Sequence, residues 1–175
     1  MIPSANSRTL DKPEGAVAPA SGDIRELLRH DHEVALAELE ALRHETEPQA
    51  SFARLRRLRR AWVIHALAEE TVVYKALEGA EANVESKSRA DERFVEHELV
   101  EGLFEKLSRC RPGSLEWNAR INVARNLVSR HIEAEHDDMF ARLARHFDAA
   151  QLREMARRFE LAHAKLTMLE EAKAA

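Results

Sequence analysis

Four histidines recur along this chain at nearly equal steps. His32, His65, His97 and His131 are separated by 33, 32 and 34 residues. Each sits in an apolar stripe of helical spacing. The first stripe is Ile24, Leu28, His32, Ala35, Leu39 and Leu42, and the second is Leu58, Trp62, His65, Glu69, Val72 and Ala76. The third is Ala90, Phe94, His97, Glu101 and Phe104; the fourth is Trp117, Ile121, Ala124, Leu127, Val128, His131, Glu135 and Met139. At about 100° per residue, positions three and four apart share one helix face. Helices of similar length joined by short turns pack as antiparallel neighbours. The four histidines then lie within about one helical turn of a common level, all facing the axis.

Turn-forming residues are too few for any other class. There are five glycines and five prolines, and Pro3, Pro13 and Pro19 fall in the first twenty residues. The predicted fold is all-α: an antiparallel up-down-up-down four-helix bundle with an additional C-terminal helix. Residues 1–22 form a flexible tail, 23–147 the bundle, and 148–175 an amphipathic helix that docks on the bundle or pairs with a second copy. Asp23 and Glu26 form a capping box for the first helix, which runs to Glu45. The second runs from Pro48 to Glu78 and stops at Gly79. The third spans Val84 to Arg109; Gly102 lies inside it with no reason evident in the sequence, close approach of a neighbouring helix being one reading. Ser114 caps the fourth, which ends at His146. Asp148 and Gln151 open the fifth, whose seam is Leu152, Met155, Phe159, Ala162, Leu166 and Leu169.

Charge and composition exclude several roles. A net charge of −4 argues against nucleic acid as partner. The run from Arg54 to Arg60 reads as the solvated outer face of the second helix. No apolar stretch spans a membrane, no charged and apolar leader opens the chain, and the one cysteine, Cys110, cannot form an internal disulfide. These features fit the cytoplasm.

The chemistry lies in what accompanies the histidines. Glu69, Glu101 and Glu135 each follow one by four residues, on the same face of an ideal helix. A buried carboxylate is costly unless paired, and half-satisfied polar networks are expensive. Four imidazoles and three carboxylates at one level can hold two metal ions. Mixed nitrogen and oxygen donors suit iron first, then manganese or zinc. The competing reading is a metal-free polar core whose histidines hydrogen-bond their own i+4 glutamates.

The motifs Asp31-His32, His65-Ala-Leu-Ala-Glu69-Glu70, Glu96-His97 and His131-Ile-Glu-Ala-Glu135 together resemble the hemerythrin-like, HHE cation-binding family. The resemblance implies a non-haem di-iron centre. Glu69 and Glu135 would bridge the irons, with His32 and His65 on one and His97 and His131 on the other. Oxygen-carrying members have a further histidine where this chain has Glu101. An anionic ligand there favours the ferric state and peroxide chemistry over reversible O2 carriage. His136 stands where glutamate is common and, by helical phase, points outward. The same phase turns Tyr74 about 180° from His65 and leaves Glu70, Glu98 and Glu133 solvated. His30, His44, His146 and His163 read as surface or outer residues. Trp62 and Phe94 read as core. The expected role is binding of O2 or peroxide, with catalase-like peroxide breakdown as the enzymatic form. The alternative is O2 or NO sensing, or iron buffering, without turnover.

Overall fold

The computed structural model describes residues 22–174, so the tail expected before them lies outside the described residues. Every regular element among those residues is helical. Helix α1 spans Ile24–His44, α2 Pro48–Glu69 and α3 Lys75–Glu81, with Glu70–Tyr74 between α2 and α3 as a turn of π-helix. Helix α4 spans Val84–Leu107, α5 Leu115–Ala134 and α6 Phe140–His146. A second π turn, Glu135–Met139, joins α5 to α6, and α7 spans Ala149–Ala174. The two π turns begin immediately after Glu69 and at Glu135.

Local chemistry sets the helix ends. The Asp23 carboxylate accepts the Arg25 N–H at 2.9 Å, and the Ser114 hydroxyl accepts the Trp117 N–H at 3.1 Å. Asp148 and Gln151 form a reciprocal capping box, both bonds 2.9 Å. The second helical unit passes through Gly79 rather than stopping there. It ends where Ala82 turns left-handed, at φ 48°, its N–H bonded to Glu78 O at 2.8 Å. Helix α4 ends at Leu107, two residues short of the expected Arg109.

Helix α1 packs on α2 and α5, and α4 packs on the same two, which closes a ring of four units. Helix α7 lies on α1, α2 and the first π turn, burying Leu152, Met155 and Phe159. The seam fades beyond Leu166, and Leu169 is 49% exposed. Two apolar clusters fill the interior. One contains Leu28, Ala68, Ala90 and Met139; the other contains Ala35, Trp62, Val100 and Val128. Each of the four units passes from one cluster to the other at its histidine. The histidines are thus a polar layer between two apolar ones. Arg142 on α6, nearly buried, ties that helix to the end of α3 and the start of α4: its guanidinium donates to Glu81 at 2.6 and 2.8 Å and to Ser86 Oγ at 2.8 Å.

Gly102 is not a point of close approach. A Cβ built there meets no atom within 4 Å. Nothing in the structure requires glycine at that position, so Gly102→Ala should raise stability by about 0.5–1 kcal/mol, read as a higher urea midpoint with unchanged slope.

Candidate metal centre

Six of the seven residues singled out by spacing converge between the apolar clusters. His32, His65, Glu69, His97, His131 and Glu135 are each at most 4% exposed. The histidines fall into two pairs. Ring centroids are 4.9 Å apart for His32 and His65 and 4.7 Å for His97 and His131, against 6.3 and 6.5 Å between the pairs. The two carboxylates lie across these pairs. Glu69 Oε2 is 3.7 Å from His65 Nε2 and 3.6 Å from His97 Nε2. Glu135 is 3.3 Å from His131 Nε2 through Oε1 and 3.2 Å from His32 Nε2 through Oε2.

Each histidine is held from behind. Asp31 accepts from His65 Nδ1 at 3.1 Å, Glu70 from His97 Nδ1 at 2.9 Å, and Glu96 from His131 Nδ1 at 2.9 Å. His32 Nδ1 meets His136 Nε2 at 3.2 Å. A carboxylate behind Nδ1 keeps the proton there and aims the Nε2 lone pair inward, as in metal-ligating histidines. In consequence His97 Nε2 and His131 Nε2, only 3.2 Å apart, present two lone pairs to each other. The remaining inward atoms lack hydrogen-bond partners: His32 Nε2, His65 Nε2, Glu69 Oε1 and Glu135 Oε2 are buried and unsatisfied. A shared cation answers all of these together. Two overlapping donor groups satisfy the distances for one: Glu69, His97, His131 and Glu135, and His32, His65 and Glu69.

Protonation agrees with this geometry. Burial pushes His32 down to about 4 and lowers His97, so both imidazoles are neutral near pH 7, the form that binds metal. Burial, then the charge of Glu135, pushes Glu69 well above the usual carboxylate range. Burial opposes ionisation of Glu135 too, but His131 and His32 outweigh it and hold its carboxyl low.

Glu101 departs from expectation. It is 42% exposed at the side chain and pairs with Arg59 at 3.1 Å, apart from the cluster. Beyond His97 the buried face of α4 continues through Val100, Phe104 and Leu107. Those positions lie to one side of His97 in helical phase, and Glu101 falls on the other. Trp62 packs against His97 instead, with rings 5.5 Å apart and its indole N–H directed to His97 O at 3.4 Å.

Three side chains expected to face outward face the site. Tyr74 is 4% exposed, and its hydroxyl donates to Glu135 Oε1 and lies 3.1 Å from Glu69 Oε2. Burial, then the two carboxylates, pushes its phenol well above the ordinary value, so the proton stays on. Glu70 and His136 supply two of the outer bonds to the histidines. The π turns explain Tyr74: an i→i+5 turn accommodates an extra residue, and everything after it falls back in phase. His136 also stacks on Phe140 at 4.7 Å. Among the residues set aside, Glu98 and Glu133 are exposed, as are His30 and His44; His146 pairs with Glu81 at 3.2 Å, and His163 is half-buried near Asp31. A cavity of about 420 Å³ runs from exposed Glu85, Glu92 and Asp137 to buried Tyr74 and Glu135, between apolar Leu77, Ala90 and Met139.

A helical protein with a buried, unsatisfied His/Glu cluster of this kind is built as a metal-binding protein. The sequence profile of the hemerythrin HHE cation binding domain matches residues 23–143, more than two-thirds of the chain. The chain belongs to that family. It is also similar to a protein named "DNA nickase" from Nostoc sp. (strain PCC 7120 / SAG 25.82 / UTEX 2576), 22% identical over 144 residues. That match covers 82% of this chain but 40% of the relative's length. No solved structure matches the chain significantly.

The depressed His32 value sets a pH test on chelator-treated protein. A histidine held below its unfolded value contributes stability that is present above pH 6.5 and lost as pH falls toward 4. His32→Leu should therefore lower the pH dependence of the unfolding free energy in that window by about one bound proton. An unchanged profile in urea melts would contradict the buried neutral state of His32.

Proposed function

We propose that the chain is a non-haem di-iron protein that binds O2 or peroxide and breaks peroxide down. Its four helical units would run up-down-up-down and antiparallel, an arrangement supported by their alternating passage between the two apolar clusters. His32 and His65 would hold one ion and His97 and His131 the other, with Glu69 and Glu135 shared. The distances from each carboxylate to one histidine of either pair support this division. Mixed imidazole and carboxylate donors support iron.

The observation that carries the peroxide reading is the Tyr74 hydroxyl between Glu69 and Glu135. When bound, the irons supply binding and electron exchange at the O–O bond. Breaking that bond to give water needs a proton delivered to the departing oxygen. Tyr74 holds one at the only phenol in the chain, kept there by burial and the two carboxyl groups beside it. The cavity beside it offers a route for peroxide in and water out. Two molecules of peroxide give one O2 and two water, so no further reductant is required. Glu101, paired with Arg59 at the surface, cannot favour peroxide chemistry as a ligand, and Tyr74 takes its place in the case for it.

Nicking DNA is the named activity of a relative that this chain covers only in part. We assign no nucleic-acid partner to this chain. Three of the five arginines in the basic run, Arg54, Arg59 and Arg60, pair with Glu38, Glu101 and Glu171 at 2.8, 3.1 and 2.9 Å, and the run reads as the charged outer face of α2. A cytoplasmic location fits the reading, and no helix among the described residues is long and apolar enough to cross a membrane. A homodimer through α7 would use Leu161, Met168 and Leu169, its exposed apolar residues.

Iron-loaded protein should evolve O2 from hydrogen peroxide, measured at an oxygen electrode. Tyr74→Phe should retain its iron and lose roughly 100-fold or more of that rate, as expected for removal of a general acid. Loaded protein that evolves no O2 would instead support sensing of O2 or NO, or iron buffering, without turnover.

A further inference from the structure

The outer partners of the four histidines form a closed sequence around the ring. Asp31 on α1 holds His65 on α2, and Glu70 after α2 holds His97 on α4. Glu96 on α4 holds His131 on α5, and His136 after α5 closes on His32 of α1. The chain therefore repeats one device twice. Asp31-His32 corresponds to Glu96-His97, and His65 with Glu69-Glu70 corresponds to His131 with Glu135-His136. The correspondence breaks at one place. Where the first half puts the carboxylate Glu70, the second puts an imidazole.

We propose that His136 makes the two metal positions inequivalent, leaving the His32/His65 position the weaker and more readily exchanged. This rests on the dinuclear reading of the site. A carboxylate behind Nδ1 pulls its proton and makes the opposite nitrogen a stronger donor. Glu70 and Glu96 do this for both histidines of the other pair. In the His32/His65 pair, Asp31 does it for His65 alone, and His32 receives a neutral ring. The donor geometry points the same way independently. The His97/His131 side has four donor atoms already within reach of one ion, Glu69, His97, His131 and Glu135, whereas the His32/His65 side has three. His136 is well placed to hold this role, fixed by its stack on Phe140, whose ring also carries the Arg29 guanidinium 4.8 Å away. It acts on the metal through His32 and is a positioning residue.

The test is an anaerobic titration of chelator-treated full-length protein with Co2+, followed by its visible absorption. Wild-type protein should take up two ions in two steps. His65→Ala should remove the weaker step and keep the tighter. His136→Glu should strengthen the weaker step by about 10-fold or more, toward the tighter one. His136→Gln, which still offers a neutral acceptor, should keep the wild-type spacing, so it reports whether loss of packing alone moves the steps. Two bound ions whose spacing ignores His136→Glu, or a shift confined to the tighter step, would overturn this assignment while leaving the dinuclear site standing. Fewer than two ions in wild type would overturn both.

Discussion

Two carboxylates buried side by side, Glu69 and Glu135, are the constraint around which this protein is arranged. Neither side chain has measurable access to solvent beyond 1%. Removing such charges from water costs several kcal/mol each unless strong partners replace the lost hydration. Four imidazoles surround them, yet the imidazoles cannot replace that hydration as hydrogen-bond donors, because most of their protons are committed to outer carboxylates. What remains inside is a set of lone pairs and anionic oxygens with too few protons among them. That imbalance is the physical case for cations at the centre. The layer is flanked on both sides by buried apolar residues, which supply no hydrogen bonds to it.

The outer ring of Asp31, Glu70, Glu96 and His136 couples this chemistry to the fold. Each partner comes from one helical unit and holds a histidine on the next, so the site and the packing of the ring are one network. The π turns belong to it. By taking up an extra residue just after Glu69 and from Glu135 onward, they change the helical phase of the residues beyond. The first turns Tyr74 inward. The cluster containing Leu77 and Leu143 then packs in the new phase and stabilises it.

Much of this is legible in the sequence, and the exceptions have physical causes. The stripe of α1 can be read in full, because it is a regular helix and every residue in it obeys the same 100° step. His65 with Glu69, and His131 with Glu135, are legible for the same reason. Glu101 has the same spacing from His97 and misleads, because the buried face of α4 drifts the other way after His97. Spacing alone does not say which flank of a stripe is inward. Tyr74 and His136 are hidden for a different reason. Ideal phase fails in segments that leave the α-helix, and no residue type in Glu70–Tyr74 or Glu135–Met139 announces the change. Asp31 and Glu96 stand in the motifs, but their targets lie on neighbouring helices, and only packing reveals them.

The central claim is that six side chains, and not Glu101, form a site for two ions. Metal content per chain decides it most directly. Protein loaded aerobically with iron and passed through gel filtration should carry about two irons per chain by elemental analysis. Glu101→Gln should carry the same number, and Glu69→Ala, which removes a donor common to both positions, should lose both. One ion or none in the wild type, or loss of an ion on replacing Glu101, would contradict the account.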